Sequence, residues 1–288
     1  MRLHDRPRSA LLLGGHGLLG TALVPALREA GVAVDAPTSA ELELRDLQAL
    51  RTRVARTLPA LVINAAAQSR VDPAELEPDL AFQVNAIGAH NLALAAAEAE
   101  VPLLHISTDY VFDGSLGTPY REFHPTGTPP NQYGRSKLQG ELLVRHTWTR
   151  HFIVRVAALF GPGRPDFVDW VLGNADPAAP LTIVADRFTS PTWTEDLARQ
   201  LLALIETPCY GTYHASGHGA ASWYELAQQA LTLTDRDPLG VVPIPDARLT
   251  SDVARRAPYT VLDNHLLRLR GLDTMLPWRE ALARHLGR

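Results

Sequence analysis

The sequence predicts an α/β fold in which a doubly wound parallel sheet forms the first lobe and a smaller lobe follows it. Three observations carry this. The apolar run ending at Leu13 meets Gly14, Gly15, Gly17 and Gly20, and passes at once into the helical-looking TALVPALREA. Short apolar runs then alternate with helical segments, the order that builds parallel strands joined by helices. Polar residues with acid–base chemistry also stand just past the end of one such run and at the head of a helix. The first lobe is expected over residues 1–160 and the second over residues 161–288, with a helix at 194–206 packing back on the first.

Composition bounds the possibilities. At 288 residues, 46% hydrophobic and 20% charged, the chain can bury a substantial core. A net charge of -4 with scattered Lys and Arg gives no reason to expect nucleic acid or an anionic membrane as partner. Cys209 is the one cysteine, which excludes an internal disulfide framework and a cysteine-based zinc site and points to a reducing, cytoplasmic setting. The opening MRLHDRPRSA is basic but lacks the apolar core of a signal peptide, and is read as a short tail. His16, the glycines and Pro25 argue against a membrane span over residues 10–27.

The glycine turn is the first chemical signal. Gly15, Gly17 and Gly20 form G-x-G-x-x-G, while Gly14, Gly17 and Gly20 form G-x-x-G-x-x-G. A strand, glycines and a helix N-terminus in that order wrap backbone N–H groups around a pyrophosphate, with His16, Leu18 and Leu19 filling the turn and opening the helix. The first helix runs over residues 21–30 and stops at Gly31, followed by a strand over residues 32–35. Asp35 falls where a carboxylate binds adenosine ribose hydroxyls and disfavours a 2′-phosphate, whereas Thr38 and Ser39 would instead bond that phosphate. NADPH and NADH both stay open. After a helix beginning at LQALRTRV comes a strand over residues 61–67, where the small Ala65, Ala66 and Ala67 either let a cofactor approach or simply pack. Asn85 lies within the long helix that follows, bonding locally or supporting the site.

The catalytic candidates come next. A strand over residues 102–107 ends at Thr108, Asp109 and Tyr110, and parallel-sheet enzymes bind ligands just beyond such ends. Residues 113–130 read as a surface loop flanking the cleft. Beyond Pro129 and Pro130, Tyr133 and Lys137 stand four apart, on one face of a helix. A phenol is a sluggish acid at neutral pH, and a nearby ammonium lowers its pKa while also serving to bond a cofactor ribose. The phenol can then exchange a proton with a substrate oxygen, with Thr108 as the second donor and Ser107 as its rival.

The glycine turn, Asn64–Ala67, the STDYVFDG of residues 107–114, the YGRSK of residues 133–137 and the DRFTSPTW of residues 186–193 together resemble the extended short-chain dehydrogenase/reductase family, and within it the dTDP-4-dehydrorhamnose reductase branch. The resemblance runs from about Leu11 to Asn264. It implies a Rossmann-type sheet with a C-terminal nucleotide-sugar lobe, and hydride transfer from NADPH or NADH to the 4-keto group of a dTDP-linked 4-keto-6-deoxy sugar. Tyr133 is then the proton donor, Lys137 its partner and Thr108 the group that polarises the carbonyl, while Asp109 and Tyr110 shape the sugar pocket. The chain departs from the branch at residues 157–161, AALFG, where a tryptophan is usual at the sugar wall, and at Asp166, Arg187 and Ser39. Rival readings are another 4-keto sugar, an epimerase or dehydratase that keeps its NAD, and a non-catalytic NADP-binding regulatory subunit.

The second lobe is less explicit. Phe167 and Trp170 on one helix either line the pocket or join the core. Arg256, with Arg255 beside it, is a candidate to hold the substrate diphosphate. No metal-ligand cluster is evident, and the protein is expected as a monomer or a homodimer.

Overall fold

The computed structural model describes residues 8–249 and 251–288; most of the N-terminal tail read from the sequence lies outside the described residues. With the strands of the main sheet numbered alone, these are β1 (Ser9–Leu13), β2 (Ala33–Asp35), β3 (Leu61–Asn64), β4 (Leu103–Thr108), β5 (His151–Val156) and β6 (Gly211–His214). Every pairing is parallel and the order is β6-β5-β4-β3-β1-β2. The chain winds outward from β1 to β2, then returns to the other side of β1 for β3. Ligand-binding crevices open at such a reversal, beyond the carboxyl ends of the strands.

Strands buried on both faces need cover on both sides. The helices are α1 (Leu18–Glu29), α2 (Leu47–Thr57), α3 (Val71–Leu76), α4 (Pro78–Phe82), α5 (Ala89–Glu98), α6 (Gln132–Thr147), α7 (Phe167–Asn174), α8 (Thr194–Ile205), α9 (Trp223–Leu233), α10 (His265–Leu269) and α11 (Trp278–His285). Leu19, Leu23 and Leu27 of α1 pack with Leu197, Leu201 and Leu204 of α8 over Leu12, Ile63 and Val154. On the other face Leu50 and Val54 of α2 join Leu92, Ala93 and Ala96 of α5 over Leu11, Leu13 and Val62. A helix from beyond residue 193 therefore closes the first lobe's own core.

The second lobe gathers around Phe160, Trp193, Leu226 and Trp278. A parallel ribbon of Leu181–Val184 with Val241–Ile244 flanks it. Its helices start where the sequence supplies caps: Asp166 and Asp169 form a capping box on α7, and Ser222 and Glu225 another on α9.

Two elements differ from the sequence expectation. The strand Gly211–His214, read with the second lobe, joins the main sheet as its edge beside β5. Its Tyr213 is buried with Phe152 and Val154, so side-chain packing decided which sheet it completes. The helix that carries Asn85 is not uniformly α-helical, because residues 83–88 form a π-helical turn.

Candidate active site

The glycine turn sits at the winding reversal. Gly14 has φ +86°, and a Cβ there would lie 2.5 Å from the carbonyl carbon of Ala65. A Cβ on Gly20 would meet the Gly14 oxygen at 2.3 Å, so the turn closes directly on the helix it feeds. Helix α1 begins from Gly17 with no side-chain cap. The N–H groups of its first turn are thus left to a ligand, at the positive end of the helix dipole. This is a fit for a dinucleotide pyrophosphate in the residues themselves.

A cavity of about 1080 Å³ runs along the carboxyl edge of the sheet. Gly14, His16, Gly17, Leu18, Leu19, Ser39, Ala65, Ala66 and Ala67 line it, as do Thr108, Asp109, Tyr110, Tyr133 and Lys137. Asp35, Phe167 and Arg256 do not. The Asp35 carboxylate is held by Arg53 through two bonds, 2.8 and 2.9 Å, which leaves Thr38 and Ser39 to face the cavity. Phe167 packs edge-on against Trp223 at 4.8 Å, partly buried against the second lobe's core. Arg256 bonds Asp72 at 3.1 Å and Asp252 at 2.7 Å, behind Tyr110. Arg45, Arg70 and Arg164 reach the cavity although nothing in their sequence context marked them.

The chemistry concentrates where β4 meets α6. Asn131 caps α6 by accepting from the Gly134 N–H at 2.8 Å, which sets Tyr133 and Lys137 in the first turns. Gly134 permits the helix to abut the strand end, since a Cβ there would lie 2.1 Å from the Tyr110 oxygen. The Thr108 hydroxyl lies next to the Tyr133 phenol and pulls its pKa down. The Tyr110 ring meets the Tyr133 ring edge-on at 5.6 Å.

The protonation states correct one expectation. Burial pushes the Tyr133 phenol pKa upward, against a smaller opposite effect of Thr108. The Lys137 ammonium donates to the Ile106 carbonyl at 2.6 Å. Burial pulls its own pKa down to about 8, with Glu141 acting the other way. The phenol is therefore fully protonated at neutral pH, the state a proton donor needs.

Glu141 and Arg155, unmarked in the sequence, hold this corner together with Ser107 and Asn85, which the sequence did single out. Glu141, one turn beyond Lys137, accepts from the Ser107 hydroxyl at 2.6 Å and from Nε and Nη2 of Arg155 at 2.8 and 2.7 Å. Ser107 is thereby committed to the scaffold, while the Thr108 hydroxyl, also on the cavity wall, donates to Asp109 at 3.0 Å. The π turn aims Asn85 at two partners, the Gln68 backbone at 2.9 and 3.1 Å and the Ser136 hydroxyl at 3.0 Å. It ties the loop after β3 to α6. Among the described residues no cluster of three or more His, Cys, Asp or Glu forms a metal site, and no helix is long and apolar enough to cross a membrane.

A winding reversal with an uncapped helix on one side, and a protonated tyrosine beside a threonine and a lysine on the other, define a nicotinamide-dependent oxidoreductase with a Rossmann-type sheet. The RmlD substrate-binding domain model matches residues 8–288. The chain is 41% identical to dTDP-4-dehydrorhamnose reductase of Streptomyces griseus, over 98% of this chain and 94% of that one. It is 36% identical to dTDP-4-keto-6-deoxy-D-glucose reductase of Streptomyces niveus, over 94% of each. The crystal structure of the Bacillus anthracis dTDP-4-dehydrorhamnose reductase in complex with NADP superposes with a TM-score of 0.93 at 33% identity, covering 98% of this chain and 99% of that one. The chain belongs to the dTDP-4-dehydrorhamnose reductase family, within the NAD-dependent epimerase/dehydratase-like superfamily.

Proposed function

We infer that the protein reduces the 4-keto group of dTDP-4-dehydrorhamnose to give dTDP-L-rhamnose, with NADPH or NADH as reductant. The observation that carries this reading is the pairing of Thr108 and Tyr133 on the wall of a cavity whose other end is built for a dinucleotide. A bound reduced nicotinamide dinucleotide supplies the hydride. Gly14, Gly17 and the start of α1 are the residues that would hold its pyrophosphate, and Lys137 is the one that would bond its ribose. Tyr133 donates its proton to the alkoxide oxygen as charge develops there, and Thr108 donates a hydrogen bond to the same oxygen. Lys137 then stabilises the phenolate left behind, since a neighbouring ammonium favours that form. The enzyme is assigned to the cytoplasm, with its one cysteine free.

The test is to supply dTDP-4-dehydrorhamnose with each coenzyme and follow coenzyme absorbance and product. Stoichiometric oxidation yielding dTDP-rhamnose is expected. Conversion without net oxidation would move the protein to the epimerase or dehydratase reading, and failure to bind either coenzyme would overturn the enzyme reading. One feature favours a second 4-keto sugar as substrate. Ala158, at φ 41°, stands on the cavity wall where the branch usually carries tryptophan, so this side of the pocket is roomier. Comparing kcat/KM for dTDP-4-dehydrorhamnose and dTDP-4-keto-6-deoxy-glucose decides between them.

The coenzyme preference follows from which groups reach the cavity beyond β2. Ser39 lines it, Thr38 is held by the Glu41 carboxylate, and Asp35 is paired with Arg53, so Ser39 is the hydroxyl left to take a 2′-phosphate. Ser39→Asp is expected to weaken NADPH binding about tenfold and NADH binding far less, because only NADPH places a second negative charge there. Equal losses for both coenzymes in a titration would contradict this placement.

A further inference from the structure

Asp109 lines the cavity, yet both of its carboxylate oxygens are already spoken for. Its Oδ1 accepts from the Thr108 hydroxyl at 3.0 Å. Its Oδ2 accepts from the Thr260 hydroxyl at 2.5 Å and from the Thr189 hydroxyl at 3.3 Å. All four residues are buried, Asp109 with 2% of its surface exposed. Thr108 and Asp109 belong to the end of β4, whereas Thr189 and Thr260 come from the second lobe. Those two segments are themselves knit together, since Thr260 N–H donates to the Phe188 carbonyl at 2.9 Å. One carboxylate thus gathers three threonine hydroxyls across the junction of the lobes.

A threonine hydroxyl has a single proton. In the free protein Asp109 holds it, while the Tyr110 N–H donates to the Thr108 oxygen at 3.2 Å and the Tyr133 phenol lies alongside. To donate to a substrate oxygen, Thr108 must give up its bond to the carboxylate. A buried carboxylate that loses a donor is costly unless others remain. Thr260 and Thr189 are those others. Burial raises the Asp109 pKa to about 6 and the three threonines oppose the rise, in the order Thr260, Thr108, Thr189.

We propose that Asp109 is a positioning residue for the reduction, fixing the Thr108 hydroxyl beside Tyr133, and that Thr260 of the second lobe keeps the carboxylate satisfied while Thr108 turns its proton to the substrate. The proposal rests on the reductase reading for its kinetic arm, and on geometry alone for its structural arm. It assigns Asp109 an action through Thr108 rather than on the sugar, and it makes the contact between the lobes part of setting up the donor.

The experiment is a double-mutant cycle on the full chain, with Thr260→Val, Thr108→Val and the pair combined. Thr260→Val is expected to lower kcat about tenfold, with the sugar KM and coenzyme Kd nearly unchanged, because one donor to a developing oxyanion is weakened rather than removed. Thr260→Ser, which restores a hydroxyl, is expected to recover most of the loss. The combined variant is expected to be no slower than Thr108→Val alone. Multiplied losses, or an unchanged kcat in Thr260→Val, would overturn the proposal. A crystal structure of Thr260→Val supplies the readout independent of turnover: with one donor gone, the Asp109 carboxylate is expected to shift toward Thr108 and shorten the 3.0 Å bond between them. An unchanged Asp109–Thr108 pair there overturns the proposal. A wild-type enzyme inactive on the keto sugar would instead defeat the substrate assignment, leaving this structural arm to decide the proposal.

Discussion

Tyr133→Phe lowers kcat by about 10²–10⁴-fold, the usual worth of a positioned general acid, and leaves coenzyme binding essentially intact. Tyr133 is the protonated phenol on the cavity wall next to Thr108, whereas the Tyr110 phenol, also protonated, is turned to Arg256. Ser107 is bonded to Glu141, Asp109 is surrounded by threonines, and Tyr110 has its own pKa raised by burial beside Arg256. Phenylalanine keeps the ring contact with Tyr110 and the packing on Ala74 and Ala81, so the fold does not pay for the change. Single-turnover reduction and coenzyme titration on the same preparation separate the two effects. Undiminished turnover would mean that the proton comes from elsewhere.

Arg155→Met destabilises the fold by about 3–5 kcal/mol, because it strands the Glu141 carboxylate in the interior. Both partners are buried, with side chains 4% and 0% exposed, and the remaining Arg145 reaches Glu141 only at 3.4 Å from a solvent-exposed position. Urea unfolding of the variant and wild type at neutral pH measures the difference. The pH dependence has a definite sign. Arg155 is the main group lowering the Glu141 pKa against burial, so that carboxylate stabilises the fold above its unfolded value near 4.5 and loses its contribution as pH falls through the lower folded value. In the variant burial prevails and the Glu141 pKa rises, so the gap between the two proteins narrows on acidification. A gap that is constant with pH would assign the loss to packing, including the Arg155 guanidinium 5.0 Å above the Phe112 ring.

The glycine turn and the Tyr133–Lys137 pair were legible because their geometry is local: a strand-to-helix turn and a four-residue helical spacing fix both without reference to the rest of the chain. Asp35 shows where local reading stops. Its place at the end of β2 follows from the sequence, but its partner Arg53 lies on the next helix, and that pairing turns the carboxylate away from the cavity's lining. Thr189 and Thr260 are farther out of reach, 80 and 151 residues from the carboxylate they bond. Nothing in a threonine's neighbours announces such a contact. The π turn at Asn85 has the same character, since it is fixed by docking against α6, where a Cβ on Gly140 would lie 2.2 Å from the Asn85 oxygen. Phe167 opens a short helix that also carries Trp170, and its packing against Trp223, far along the chain, is not readable from that helix alone.

The closure of the first lobe by α8 and β6 bears on how the protein is made. A chain emerging from the ribosome presents β1 to β5 long before the residues that cover one face and one edge of that sheet. Until Thr194–Ile205 and Gly211–His214 follow, Leu23, Leu27 and Val154 lack their cover and β5 offers an unpaired edge to any neighbouring strand. Vectorial folding of the first lobe therefore waits for part of the second to be synthesised, and a messenger truncated near codon 160 is expected to yield an aggregation-prone fragment rather than a free-standing domain.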